Sequence, residues 1–589
     1  MRGAKGLHEF TVWAPHVQNV AVKIGEAIYP MSGPDKKGVW SVEVENAEHG
    51  TDYGFVLKDD PKTYPDPRSR WQPKGVHGVS RVYDQTLFVW NDSGWNAPSL
   101  DRAVIYEVHV GTFTPEGTFF GVIGRLDYLC ALGVTHIELM PVAAFPGDYG
   151  WGYDGVSLFA VTDLYGGPDG LKTLVDECHK RGLAVLLDVV YNHFGPVGNY
   201  SGMFGPYVTD KHRTPWGDAV NFEDGKSDQV RRFFCDNALT WMRDYHIDGL
   251  RLDAVHEFID RSAVHFMEQL SVEVEGLSHT LGRRFVLIAE SDLNDPRIIT
   301  PRSAGGYGID AQWSDDFHHA LFSVLNERSD EKGYYVDFGS LGHLAKALTQ
   351  AFVYDGIYSK YRNRIHGRPV EDLSAHRFLG YIQNHDQVGN RAIGDRVDQV
   401  LGIDLAKVAA GIVMTAPFIP MIFQGEEFAA SSPFLYFADH EDPEMARAVK
   451  AGRQAEFAAF GWNPADIPDP EERKTFERSK LNWHEIQEGQ HQEMLQWYRK
   501  LIHLRRSSTA LNEGDLRSVK VRFNEAERWL IMERGSVTVL CNLNDARKEF
   551  DKPQSQSLLL ASREDVAIVE QKVVLAPRSL AILSAENLP

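Results

Sequence analysis

From about residue 104 to residue 427 the chain repeats one unit: a short apolar β-type run, a polar turn and a helical segment. Eight such runs are present: VIYEVHV, THIELMPV, AVLLDVVYNH, GLRLDAVH, RFVLIAES, IDAQWSDDF, FLGYIQNHD and FIPMIFQGEE. Parallel strands need crossovers of a dozen or more residues, and eight strand-plus-helix units close on themselves as a (β/α)8 barrel. Two intervening segments show helical period: Leu171, Leu174, Val175 and Cys178 share one face, as do Val230, Phe234, Trp241, Met242 and Tyr245. Both faces are suited to covering a barrel wall. The stretch from Phe194 to about Phe222 has no period and holds Gly, Pro and aromatics, so it reads as a long loop after the third strand. Long loops on a barrel shape its active site.

At 589 residues the chain exceeds one ordinary domain. Residues 1–95 alternate short β-type runs (HEFTVWA, NVAVKI, VWSVEV, DYGFVL) with Gly, Pro and Asp turn signals, the pattern of a small β-sandwich. After about residue 511 helical period disappears and β-runs return (RWLIME, SVTVLCNL, SLLLA, KVVL, SLAIL), which predicts a third, all-β domain over 511–589. The expected fold class is α/β: a TIM barrel over 96–510, between an N-terminal β-sandwich and a C-terminal all-β domain.

Lys plus Arg number 61 against 82 Asp plus Glu, a net charge of −21 that repels phosphate backbones and anionic membrane surfaces. Nucleic acid and membrane are therefore disfavoured partners, whereas a neutral glucan is not repelled. The four cysteines form no CxxC pair, and Cys130, Cys178 and Cys235 fall in segments that read as buried helices. Reduced core thiols fit a cytoplasmic protein, as does a start, MRGAKGLHEF, without an apolar signal core. The longest apolar run, residues 409–423, contains Thr415 and is broken by Pro417 and Pro420, too short to span a membrane.

Barrel chemistry sits at the C-terminal ends of the strands. Asp188 and His193 end the third run, Arg251, Asp253 and His256 the fourth, Glu290 and Asp292 the fifth, Asp315 and Asp316 the sixth, and His385 and Asp386 the seventh. A single Asp at a strand end is as readily structural as functional. Carboxylates from five strands converging on one rim repel one another and cost stability, which points to function. Clustered carboxylates serve glycoside cleavage, where one protonates the leaving oxygen and another meets the oxocarbenium-like carbon. Metal hydrolysis is the competing chemistry, but the chain has no HExxH or short His-x-His motif. The residues alone leave the separate roles unassigned.

Four strings, DVVYNH (188–193), GLRLDAVH (249–256), IAES (288–291) and QNHDQVGNR (383–391), resemble the four signature regions of the α-amylase family, glycoside hydrolase family 13. They occur in the family's order, on the third, fourth, fifth and seventh runs. The resemblance implies a retaining α-glucan hydrolase with Asp253 as nucleophile, Glu290 as proton donor and Asp386 as the carboxylate that binds sugar hydroxyls. It also implies that Arg251 keeps Asp253 ionised, that Glu290 has a raised pKa, and that their carboxyls lie roughly 5 to 5.5 Å apart. His193 and His385 match the family's hydrogen-bonding histidines, Tyr153 in WGYDG its stacking aromatic, and Asp188 a buried residue that organises the site. Trp151 in the same string and Arg391 at the end of the last signature complete the expected sugar-binding set. A non-catalytic relative would commonly lack one of the three carboxylates; all three are present.

FTVWAP near the start is similar to a glycogen-binding-type β-domain of the family, which occurs both as a sugar binder and as a scaffold. ELMPVAAFPGDYGWGYDGVSLFAV, YNHFGPVGNY, TPWGDAVNF, AESDLNDP and QWSDDFHHA are most similar to the branch that cleaves maltooligosyltrehalose beside its trehalose end. Glycogen branching enzymes, which pass the glucan to a sugar hydroxyl, are the alternative. The resemblance implies a maltooligosyltrehalose or related α-glucan substrate and a partner enzyme that makes it. Where many α-amylases carry Lys-His three and four residues after the nucleophile, this chain has His256 and Glu257. These two, with Asp315, Asp316 and Trp216, are expected to select trehalose, the alternative for the two aspartates being a helix cap. The loop after the third strand has few carboxylates near Asn192, whereas calcium takes six to eight oxygens, so no essential metal and no cofactor is expected.

Overall fold

The computed structural model describes residues 6–58, 60, 62–326, 333–458 and 462–586. The eight runs form eight parallel strands: β1 (Ile105–Val108), β2 (His136–Leu139), β3 (Ala184–Val189), β4 (Gly249–Leu252), β5 (Val286–Ala289), β6 (Ala311–Trp313), β7 (Phe378–Gly380) and β8 (Ile419–Phe423). Each is hydrogen-bonded to the next in sequence, and β8 returns to β1 to close the barrel. Because strand side chains alternate, one set points inward and the other toward the helices. Ile105, Leu186, Ile288, Trp313, Leu379, Tyr381 and Met421 make one interior cluster. The alternate positions Tyr106, Val108, Leu187, Leu250, Leu252 and Leu287 join the larger core beneath the helices.

The helices Gly167–Lys180 and Ser227–Asp244 bury the faces read from their period. Cys178 and Cys235 lie in that core, but Cys130, on the short helix Leu126–Leu132, is only half-buried, so one of the three expected core thiols looks partly outward. All four cysteines are free. The 409–423 run divides between the helix Ile403–Thr415 and β8, and no described helix is long and apolar enough to cross a membrane.

Toward the strand ends the inward positions become charged. Glu107 lies opposite Glu138 in the β1/β2 ladder, and Asp188 lies opposite Arg251 in the β3/β4 ladder. All four side chains are buried. Burying charge is costly unless it is paired, so this layer marks where the fold has been bent to a purpose.

The stretch 194–222, read as irregular, contains the short helix Ser201–Phe204 and a hairpin of Val208–Thr214 with Gly217–Val220. In VTDKHRT only Thr209 and Thr214 are buried, so there is no apolar alternation to announce the strand. Tyr207 meets Trp13 edge-on at 5.1 Å and Phe204 meets Phe55 at 6.0 Å, clipping this segment to the N-terminal strands. There Leu7–Trp13 pairs with Val39–Glu45, and Ala27–Pro30, Val20–Ile24, Asp52–Leu57 and Thr63–Tyr64 form a second sheet. Trp13, within FTVWAP, is buried in this joint.

C-terminal to the barrel, Val519–Asn524, Trp529–Arg534, Val537–Asn542, Ser579–Ser584 and Ser557–Ala561 form a five-stranded sheet. Lys548–Asp551, Lys572–Leu575 and Ala567–Val569 form a three-stranded one. The guanidinium of Arg534 donates to the carbonyls of Thr415 and Ala416 at 2.9 and 2.8 Å, fastening the sheet to the helix that precedes β8.

Candidate active site

A cavity of about 470 Å³ opens at the C-terminal ends of the strands. Of the residues singled out in the sequence, Trp151, Tyr153, His193, Trp216, Asp253, His256, Glu290, His385 and Asp386 line it. Asp188 and Arg251 lie one layer below and support it. Glu257, Asp315, Asp316 and Arg391 are not in the lining.

The centre is organised by one guanidinium. Nη1 of Arg251 donates to Oδ1 of Asp253 and to Oδ2 of Asp188, both at 2.7 Å, while Nη2 lies 3.5 Å from Oε2 of Glu290. Arg251 is fully buried and rests over the ring of Trp313 at 4.2 Å, which fixes the fork beneath the cavity floor. Asp253 and Glu290 thus share one cation but differ in what else surrounds them. Burial pushes the Glu290 carboxyl up to about 8, against the pull of Arg251 and with reinforcement from Asp253. Burial likewise raises Asp188, again opposed by Arg251.

The backbone contributes at the same point. Ala254, directly after Asp253, has the left-handed φ of 41°, uncommon for a residue with a side chain. In this conformation its N–H donates to Oε2 of Glu290 at 2.6 Å.

A second set of bonds fixes the wall over β1, β2, β3 and β7. The Tyr153 hydroxyl lies 2.6 Å from Oδ2 of Asp188 and 2.8 Å from Nε2 of His385, and its ring stacks on the His385 ring. His193 bonds Asn192 Oδ1 and the Tyr153 carbonyl, both at 3.1 Å, and stacks on Trp216 at 4.8 Å. Asn192, considered as a calcium ligand from sequence, is thereby used internally. Trp151 donates to the Leu435 carbonyl at 2.9 Å. A Cβ at Gly389 would lie 2.0 Å from the Trp151 ring, so QNHDQVGNR needs glycine at that position.

The expected leaving-group set divides. His256 and Trp216 reach the cavity, whereas Asp316 is consumed structurally: its Oδ2 accepts from Asn294 Nδ2 and from the N–H groups of Val353 and Tyr354 at 2.7 to 2.9 Å. Through Oδ2 it clamps two loops. Asp315, in the first turn of the helix Asp315–Leu325, accepts from the Tyr381 hydroxyl at 2.6 Å. Neither aspartate caps that helix, whose N-cap position is Ser314. Arg391 pairs with Asp395 at 2.8 Å, four residues on, and lies over the Phe322 ring.

Asp292, named with Glu290 at the end of the fifth run, lines the cavity as well; Asp154, Asn390, Tyr436 and Phe437 also line it without having been singled out in the sequence. Asp154 is adjacent to Tyr153 and Asn390 lies in the last signature, so proximity to a motif would have found both. Tyr436 and Phe437 stand in an irregular segment after β8, where no period points inward.

A family model described as "Alpha amylase, catalytic domain" matches residues 71–204. The chain is similar to the malto-oligosyltrehalose trehalohydrolase of Rhizobium sp. (strain M-11), 45% identical over 586 residues, 98% of each chain. It is also similar to the malto-oligosyltrehalose trehalohydrolase of Mycobacterium tuberculosis (strain ATCC 25618 / H37Rv), 46% identical over 582 residues, 98% of this chain and 99% of that one. Among solved structures, a Salmonella typhimurium protein described in α-amylase terms has a TM-score of 0.91 at 36% identity, with 99% of each chain covered.

Proposed function

The chain belongs to the malto-oligosyltrehalose trehalohydrolases of the α-amylase family, and from this membership we propose that its barrel rim hydrolyses the α-1,4 bond that joins a maltooligosaccharide to a terminal trehalose. The supporting observation is the division of labour imposed by Arg251, which pairs at 2.7 Å with Asp253 and only at 3.5 Å with Glu290. The paired carboxylate is the nucleophile. Glu290, protonated near neutrality, is the acid.

Glu290 Oε2 is occupied by the Ala254 N–H, so the proton resides on Oε1. In the first step that proton passes to the interglycosidic oxygen, Asp253 bonds to the anomeric carbon, and trehalose departs neutral. In the second, Glu290 takes a proton from water as the water oxygen bonds to the same carbon and Asp253 is released. Glu290 is then protonated again and the configuration has been inverted twice. Asp386, on the cavity wall, binds hydroxyls of the sugar being transferred.

His256 and Trp216 meet the trehalose leaving group. The His256 ring lines the cavity, and its buried Nδ1 has no hydrogen-bond partner among the described residues. The substrate is made by a separate enzyme that converts the end of a maltooligosaccharide to trehalose. Incubation with maltotriosyltrehalose tests the reading: free trehalose and maltotriose are expected, whereas new α-1,6 branches on amylose would identify a branching enzyme instead.

A further inference from the structure

Glu107 takes no part in the steps above, yet it is buried and holds one residue twice. Its Oε1 accepts from Nδ1 of His385 at 2.5 Å and its Oε2 from the His385 main-chain N–H at 3.0 Å. On the other side of the ring, Nε2 lies 2.8 Å from the Tyr153 oxygen, which is itself 2.6 Å from Asp188. Tyrosine has one hydroxyl proton. Given to the nearer carboxylate of Asp188, it leaves the phenol oxygen to accept a proton from Nε2. Nδ1 needs its own proton for Glu107, so both ring nitrogens are donors and the ring is an imidazolium. Beyond Asp188 the path runs through Arg251 to Asp253.

We infer that Glu107 is a positioning residue of the hydrolase: from the first strand it holds His385 as a cation, aims Nε2 at Tyr153 and Asp386, and so fixes the direction of the hydrogen bonds behind the nucleophile. The inference rests on the α-amylase-type reading of the site. The surrounding charges agree with it. Burial opposes the cation, but Asp386 at 3.5 Å and Glu107 outweigh burial and the repulsion of Arg251, raising His385 to about 9. Asp188 adds negative charge one bond further away. Glu138 is raised well above the usual carboxylate range by burial and by Glu107, and His109, lowered to about 4 by burial, is neutral. The rings of Trp151 and Trp313 meet His385 at steep angles and close its remaining sides.

The test is an NMR titration of the full-length enzyme labelled with 13C-histidine, the His385 signal being assigned by its loss in His385→Gln. In the unsubstituted enzyme His385 should be fully protonated at pH 7.5; a neutral ring there overturns the inference without any variant at position 107. Glu107→Gln should lower the His385 midpoint by about one unit or more, and Glu107→Asp by less. With maltotriosyltrehalose, Glu107→Gln should move the alkaline fall of kcat/KM to lower pH, a one-unit drop from about 9 costing about twofold at pH 8, mostly in kcat, with Glu107→Asp restoring most of it. An unmoved midpoint, or equal alkaline limbs in the two variants, contradicts it. Because the midpoint is read without turnover, absence of hydrolysis would sink the assigned reaction and leave this result standing.

Discussion

The cavity has two unlike walls. Over β1, β2, β3 and β7, Trp151, Tyr153, His193 and His385 are each held by a named hydrogen bond and are packed against one another. On the other side, apart from the bonds that hold Asp253 and Glu290, the ties are sparser: Trp216, on the hairpin after β3, is 49% exposed and stacks on His193, His256 has a buried ring nitrogen without a partner among the described residues, and Asp292 is tied to Arg362 at the rim. On the proposed reading the tightly bonded wall holds the sugar being transferred and the sparsely tied residues meet the leaving group, so that selectivity rests on side chains other than those that fix the common sugar.

Substitutions should respect that division. Asp253→Asn removes the nucleophile while keeping its shape, and kcat should fall by about four orders of magnitude or more, for maltooligosyltrehalose and for maltooligosaccharides alike. Glu290→Gln should cost about a hundred- to ten-thousandfold. The Glu290 carboxyl must be protonated to act and burial raises it to about 8, so activity should persist below that pH and fall as pH rises through it, a limb that the Gln variant loses. Tyr153→Phe deletes the hydroxyl between Asp188 and His385 and should lower kcat/KM by about tenfold on every α-glucan. His256→Ala should act on the other wall, changing the ratio of kcat/KM for maltotriosyltrehalose over maltopentaose by about tenfold or less, with little effect on the common chemistry. An equal loss on both substrates would dissolve the distinction between the walls. Trp216→Ala, at the exposed rim, should have the smallest effect, raising KM a few-fold through lost stacking.

The barrel was legible because its strands are apolar on both faces and end in charge, a pattern that survives without knowledge of the partners. All eight runs became strands of the closed sheet. The hairpin at 208–220 was not legible, because a strand that buries only two threonines leaves no alternation. Within the site, strand-end position brought seven of the named residues to the cavity, His193, Asp253, His256, Glu290, Asp292, His385 and Asp386, but could not foresee that Asp316 is bonded by residues 294, 353 and 354. The same blindness to long-range partners hid Glu107. It is the lone carboxylate in VIYEVHV, as Asp188 is in AVLLDVV, but its partner His385 lies 278 residues away. A single charge inside an apolar strand was the available signal, and only the closed barrel shows what it holds.

The double displacement at Asp253 is tested most directly by following maltotriosyltrehalose hydrolysis with 1H NMR and reading the anomeric configuration of the maltotriose first released. Retention through a covalent glycosyl bond to Asp253 predicts α-maltotriose, with the β-anomer appearing only by later mutarotation. Initial release of β-maltotriose would mean that water attacks directly, and would contradict the assignment of Asp253 as nucleophile.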